Sequence, residues 1–461
     1  MSSYDIVIIG SGPGGYIAAI RASKAGKKVA VVEERDVGGT CLHRGCIPSK
    51  TMLQHAEVLH QVENAADWGI QTGETTFSFE KMLKRKEKIV SQLQNGISSL
   101  LKQGKIDVIQ GLGQVTHPEN VVVDTSNGEK RLQTKKIIVA TGTNPIIPPV
   151  KGLEDIHFDT SDSIFHLQEL PSSLLIVGGG IVGVEYASLF ASLHVEVTIV
   201  EMNEDIIVEE DPDAAAILRQ SLERQGVSIL TNTTLEKVEE NQGKITASYK
   251  NNAGESGQVL TDHVLIAAGR KPNVSALKNS SVAYEEGFIK VDKNMQTNIP
   301  GIYTIGDLAS GGWKLAHAAS AEGITAAEHA SEIQPTINKN LIPRCIYTSP
   351  EIAAVGLTEK EAKQQGYNYK IETVPYQGNG KAMAMGETNG LTKVIIDKEF
   401  GEILGVTLIG PHVTEMIGEP TAFIHLEGTV EELAAMVHPH PTLSENLFEA
   451  ANAWLNKGIH H

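Results

Sequence analysis

Two cysteines stand five residues apart in the run Val37-Gly38-Gly39-Thr40-Cys41-Leu42-His43-Arg44-Gly45-Cys46-Ile47-Pro48-Ser49-Lys50. Five residues are roughly one and a half helical turns, so a distorted helix start can bring Cys41 and Cys46 within bonding reach. A thiol at a helix N-terminus, or beside a cation, ionises more easily than a free one. Lys50 lies four residues after Cys46 and shares its helical face. The spacing alone admits a redox pair, two separate buried thiols or half of a metal site. Zinc knuckles use shorter spacing and a second pair, which this chain lacks, so no metal site is expected. Cys345 has no partner in the sequence and reads as a small buried hydrophobe.

Thiol–disulfide exchange needs a group that takes and returns a proton, and histidine does so near neutral pH. The segment His438-Pro439-His440-Pro441-Thr442-Leu443-Ser444-Glu445 offers two. A proline after each histidine predicts an extended loop. Glu445 has two readings here: it closes a capping box with Thr442 at the start of a helix, or it orients His440.

Two glycine turns provide the other chemistry. Gly10-Ser11-Gly12-Pro13-Gly14-Gly15 follows a β-branched strand over Asp5 to Ile9, opens a helix to Lys24, and leads to a strand that ends at Glu33. Gly178-Gly179-Gly180-Ile181-Val182-Gly183 follows Leu174 to Val177 and leads through a helix to a strand that ends at Glu201. In such a turn Gly10 or Gly178 makes the bend. Gly12 or Gly180 lets a pyrophosphate approach the backbone, and Gly15 or Gly183 lets helix and strand pack closely. The helix N-terminus supplies free N–H groups and partial positive charge for the phosphates. Glu33 and Glu201 stand where an acid bonds the adenosine ribose. Two such units, alike in spacing, predict two bound dinucleotides.

These residues need a scaffold. Helical periodicity covers Met52 to Ala66 and Phe79 to Gln103, with Lys84 to Lys88 read as a solvated face. Strands are expected at Lys136 to Ala140, ending in Thr141-Gly142; at His263 to Ala268, ending in Gly269; and at Gly301 to Ile305, ending in Gly306-Asp307. From about Leu341 the texture changes to α+β. A chain of 461 residues exceeds one core, and several domains are expected. The formal charge of −17 disfavours nucleic acid and anionic lipid as partners. No apolar run reaches a membrane span, and the first strand starts too early for a signal peptide, so a cytoplasmic location is expected.

The cysteine segment resembles the redox-active segment of the pyridine nucleotide-disulfide oxidoreductases. Its Gly-Cys-Ile-Pro-Ser-Lys ending looks most like the dihydrolipoyl dehydrogenase branch. That resemblance spans essentially the whole chain and implies an α/β fold: two Rossmann-like dinucleotide-binding domains plus a C-terminal α+β dimerisation domain. The implied division is an FAD-binding domain at 1–149, an NAD-binding domain at 150–269, a second FAD-contacting segment at 270–338, and an interface domain at 339–461. It implies FAD and NAD as cofactors, a Cys41–Cys46 disulfide with Cys41 facing substrate and Cys46 facing the flavin, and Lys50 paired with Glu185 between flavin and nicotinamide. Asp307 resembles the aspartate that binds the FAD ribityl or pyrophosphate region, and Ala316-His317 the segment that covers the flavin ring. His440 and Glu445 match the base and its carboxylate, which relatives contribute from the opposite subunit, so a homodimer is implied; His438 resembles an accompanying histidine. The implied partner is the lipoyl-bearing acyltransferase of a 2-oxo acid dehydrogenase complex. The chain departs from many relatives at Ala316-His317-Ala318-Ala319-Ser320 and at the glycine-rich Gln377 to Lys381.

Glu201 also chooses the nicotinamide cofactor. A carboxylate there accepts from a free 2′-hydroxyl and repels a 2′-phosphate, and Met202, Asn203 and Glu204 supply no arginine. Steady-state kinetics are therefore expected to favour NAD(H), with comparable turnover of NADP(H) as the contrary result.

Overall fold

The computed structural model describes residues 2–339 and 341–460. Strand Ser2–Ile9 runs parallel to Val29–Glu33 on one side and to Gly128–Val139 on the other. Asp107–Gln110 extends the parallel sheet beyond Val29–Glu33. Val29–Glu33 is buried along its whole length, which suits a β-branched run covered on both faces. A later strand, Ile302–Thr304, returns to this sheet with Ile302 opposite Ile137. Gly306 and Asp307 follow that strand, so they sit at the same sheet edge as the first glycine turn.

The second unit is a five-stranded parallel sheet in the order Ser228–Leu230, Glu196–Val200, Ser173–Val177, His263–Ile266, Asp159–Thr160. A third unit is an antiparallel sheet of five strands from Arg344–Ile346 to Ile403–Gly410. Helices Val430–Ala435 and Glu445–Trp454 contribute Val430, Leu433, Leu447 and Ala450 to its core.

Helix Cys46–Glu63 joins the units. Its residues Met52, Ala56 and Leu59 share a core with Tyr186 and Phe190 of the second unit and Ile346 and Ile409 of the third. The helix start, where Cys46 and Lys50 stand, is thereby held against the other two units. Helix Phe79–Gln103 packs beside it. The charged run there is not wholly solvated as expected: Lys86 is buried, with its ammonium 6.0 Å from the Phe165 ring centre and 3.5 Å from the Phe165 carbonyl. Its aliphatic stem covers apolar surface while neighbouring charges stay in water.

The two glycine turns are superimposable in their constraints. Gly10 and Gly178 have φ of +100° and +114°, the left-handed region that side chains avoid. A Cβ on Gly15 would stand 2.0 Å from the Gly10 carbonyl oxygen, and one on Gly183 the same 2.0 Å from that of Gly178. No flexible side chain is available to yield. Gly183→Ala must therefore push the helix Ile181–Ser192 off its strand, at a cost of about 1–3 kcal/mol as for other overpacked cores. A urea unfolding midpoint unchanged from the parent protein would contradict this.

Candidate functional site

A cavity of about 1240 Å³ runs between the first two sheets and is floored by both glycine turns. Its wall includes Gly10, Gly12, Gly15, Glu33, Cys41, Cys46, Lys50, Thr141, Gly142, Gly178, Gly180, Glu185, Glu201, Gly269, Asp307, Ala316 and His317. Gly183 lies behind the wall, packing helix on strand. His440 and Glu445 lie elsewhere on the chain and do not line it.

At each turn the middle glycine faces open space. A Cβ on Gly12 or Gly180 would meet no atom within 4 Å, and each of these residues is the N-cap of the following helix. Side-chain oxygens do not cap either helix, so the first N–H groups point to the cavity unclaimed. The closing acids are pinned in place. Glu33 Oε2 accepts from the Ser11 N–H at 2.8 Å and the Ser11 hydroxyl at 2.6 Å. Glu201 accepts from Gly179 N–H, and its other oxygen accepts from Asn203 N–H at 2.7 Å. The residues present thus fit a dinucleotide in each half: free helix-terminal donors, room at the middle glycine and an oriented carboxylate.

The cysteine segment does not form one distorted helix. A short helix, Gly39–His43, carries Cys41; the chain breaks at Arg44 and Gly45; a second helix starts at Cys46. Gly45 sits where the chain folds back, and a Cβ there would stand 3.2 Å from the Thr40 carbonyl oxygen. Both cysteines are free thiols here, close enough that each perturbs the ionisation of the other. The neighbouring Cys41 thiol lowers the Cys46 pKa; burial opposes this and the Lys50 ammonium assists it. Cys46 also occupies the first position of its helix, where the helix dipole favours a thiolate. In the reduced pair Cys46 is thus the thiol whose ionisation is favoured, and Cys41 the one whose ionisation is opposed.

Lys50 reaches across to the second unit. Its Nζ lies 2.9 Å and 2.7 Å from the two carboxylate oxygens of Glu185, and 4.5 Å from the centre of the Tyr347 ring. Glu185 also accepts from the Tyr347 N–H at 2.9 Å. Cys345, two residues earlier, is half-buried: it packs against the core of the third unit and also lines the cavity. Burial pushes its thiol up to about 11, so it stays protonated.

His440 Nδ1 lies 2.9 Å from Glu445 Oε1, with 78% of the imidazole side chain exposed. The other oxygen of Glu445 accepts from the Thr442 N–H at 2.8 Å. The expected capping box is only half formed. The Thr442 hydroxyl donates to the Pro439 carbonyl, and Ser444 precedes the helix. Glu445 thus performs both jobs assigned to it as alternatives. His438 turns inward: its Nε2 lies 2.8 Å from Glu419 Oε1, its side chain is almost fully buried, and the Glu419 carboxylate raises its pKa.

Several residues in or behind the cavity wall were missed in the sequence. Arg270 donates to the Thr143 hydroxyl and carbonyl, to Ser161 and to Asp162. Asp162 in turn faces Arg44 at 3.6 Å, between the two cysteines. Glu322 accepts from the Gly306 N–H at 2.7 Å, beside Asp307, and burial pushes its carboxyl up to about 7. Position after a strand was the available signal for Arg270; Glu322 had none, being one polar residue in an alanine-rich helix.

Residues 4–323 match the family model described as pyridine nucleotide-disulphide oxidoreductase, and residues 342–451 match that family's dimerisation domain. A dihydrolipoyl dehydrogenase of Bacillus subtilis is 40% identical over 474 aligned residues, covering 100% of this chain and 99% of that one. A dihydrolipoyl dehydrogenase of Zymomonas mobilis is 38% identical, with 99% of each chain covered. Among solved structures, the HOCl-induced flavoprotein disulfide reductase RclA from Escherichia coli, as its Cu(II) complex, superposes with a TM-score of 0.87 at 28% identity, covering 98% of this chain and 100% of that one. No helix among the described residues is long and apolar enough to cross a membrane. With both family models matched and relatives alike from end to end, this chain belongs to the pyridine nucleotide-disulphide oxidoreductases.

Proposed function

We propose that this chain oxidises protein-bound dihydrolipoyl groups of a 2-oxo acid dehydrogenase complex, with NAD as final acceptor. The observation that carries the reading is the Cys41–Cys46 contact in the wall of a cavity that also holds two dinucleotide cradles. FAD and NAD, when bound in those cradles, supply the two-electron transfer from the dithiol to the nicotinamide and restore the disulfide. The first cradle, with Thr141, Gly142, Asp307, Ala316 and His317, takes FAD. The second, with Glu201 and Gly269, takes NAD.

The protein's own residues handle the sulfur and proton steps. His440 accepts a proton from one substrate thiol. The thiolate attacks Cys41 Sγ, breaking the Cys41–Cys46 bond and leaving the Cys46 thiolate beside Lys50. The second substrate thiol attacks the substrate sulfur of the mixed disulfide, and its proton is the one that returns to Cys41. Lipoyl disulfide leaves, and Cys41 departs as a thiolate that is reprotonated. Two cysteine sulfurs are reduced and two substrate sulfurs oxidised. Lys50 and Glu185 stand between the two cradles and fix the start of the Cys46 helix.

His440 and Glu445 act on the cavity of a second copy of the chain. Two facts support this assignment: the imidazole is exposed and lies outside its own chain's cavity wall, and the segment belongs to the family's dimerisation domain. The working unit is then a homodimer in the cytoplasm. Docking on the acyltransferase falls to the acidic surface and a basic partner segment.

The reading is tested with the purified yellow protein by comparing dihydrolipoamide with reduced glutathione, each against NAD and NADP. Dihydrolipoamide with NAD is expected to turn over fastest; preference for glutathione would move the chain to another branch of the family. His440→Gln is expected to slow dithiol oxidation by ~100-fold or more, as loss of a general acid–base does, with flavin content unchanged. Undiminished turnover in that variant would remove His440 from the mechanism.

A further inference from the structure

A sheet edge in the second unit carries a side-chain cluster that the sulfur chemistry does not use. Strand Asp159–Thr160 pairs in parallel with His263–Ile266, with Asp159 opposite Leu265. Carrying that register back two residues sets His157 beside His263. The two-residue period of extended chain puts His157, Asp159 and His263 on one face. The His263 Nε2 lies 2.8 Å from Asp159 Oδ2, although the two residues are 104 apart in the chain. Both are buried, while His157 is exposed with its ring centre 5.7 Å from that of His263. One donor atom from each of the three falls within 4.8 Å of the others.

We propose that His157, Asp159 and His263 bind a divalent transition ion of the zinc type. Two imidazoles and one carboxylate are the ligand set such ions prefer over magnesium or calcium, with a fourth position left to water. Zinc–ligand bonds of about 2.0–2.2 Å place tetrahedral donors roughly 3.4 Å apart. The site therefore closes by a small movement, and His157 is the side chain free to make it. The single carboxylate offsets half of the ion's charge, and the open side at His157 provides the entry path.

None of the three residues lines the cofactor cavity, so a bound ion takes no part in the electron transfer. Its effect is mechanical. Asp159 leads within three residues to Asp162, which faces Arg270 and Arg44. An ion at Asp159 braces the edge strand from which that contact to the cysteine loop is made. The alternative is a plain hydrogen bond tying His263 to Asp159, to which His157 contributes nothing.

The deciding experiment uses the purified oxidised holoenzyme, dialysed against micromolar Zn²⁺, with bound metal counted by atomic emission and thermal midpoints measured across a zinc series. Wild type is expected to hold one equivalent per chain more than His157→Ala, and its midpoint to rise with zinc, as ligand linkage requires. His157→Ala, an exposed substitution, should bind about 100-fold more weakly, since loss of an outer-sphere partner alone costs 10–100-fold. A Cys41→Ser, Cys46→Ser double variant should keep the equivalent, which separates this site from zinc captured by the redox thiols. The proposal is overturned by wild type binding no zinc, by equal binding in His157→Ala, or by loss of the equivalent in the cysteine variant.

Discussion

One carboxylate holds the three units in working order. Glu185 projects from the helix of the second glycine turn and receives Lys50 from the cysteine-bearing helix and the Tyr347 N–H from the third unit. It is buried, and a buried carboxylate without partners is expensive. Each unit therefore has an energetic reason to present its donor there. The consequence for chemistry is positional. Lys50 is one helical turn from Cys46, so fixing the ammonium on Glu185 also fixes the sulfur against the cavity. The same charge lies close enough to favour the Cys46 thiolate.

The parts of the fold written in local chemistry could be read from residues alone. Gly10 to Glu33 and Gly178 to Glu201 are each a strand, a glycine bend and a helix in immediate succession, and every constraint acts over a few residues. The open space at Gly12 and Gly180, and the carbonyl contact at Gly15 and Gly183, follow from the same rule applied twice. Helix Phe79–Gln103 was equally legible from its apolar spacing. The cysteine segment was legible as to partners but not as to shape. One distorted helix and two helices with a break satisfy the same spacing, so the spacing alone does not choose between them.

What escaped the sequence was long-range. Arg270 gathers Thr143, Ser161 and Asp162 from segments more than a hundred residues away. Its position just after a strand is the one local signal, and that does not point to these partners. Lys86 reads as one more charge in a solvated run, and only the placement of Phe165 buries it. Cys345 packs against the third unit's core as a lone cysteine on a strand suggests, yet the strand on which it stands also forms cavity wall. In each case the local residue types were compatible with both environments, and tertiary packing selected one.

The geometry at the third unit also decides which nitrogen of His440 can work. Burial opposes ionisation of Glu445, but the Thr442 N–H and the imidazole together outweigh it and hold the carboxyl below its usual range. An ionised carboxylate can only accept. The proton on the shared bond therefore belongs to His440 Nδ1, and in the neutral imidazole Nε2 is left with a free lone pair. Glu445 is itself tied to the Thr442 backbone, so the ring is hydrogen-bonded to a carboxylate that is held in place. Nε2 thus projects outward from an exposed edge as a fixed proton acceptor. His438, two residues earlier, satisfies its own ring within the chain through Glu419 and leaves no comparable group at the surface. Of the two histidines in that loop, His440 is the one whose free nitrogen has no use inside its own subunit.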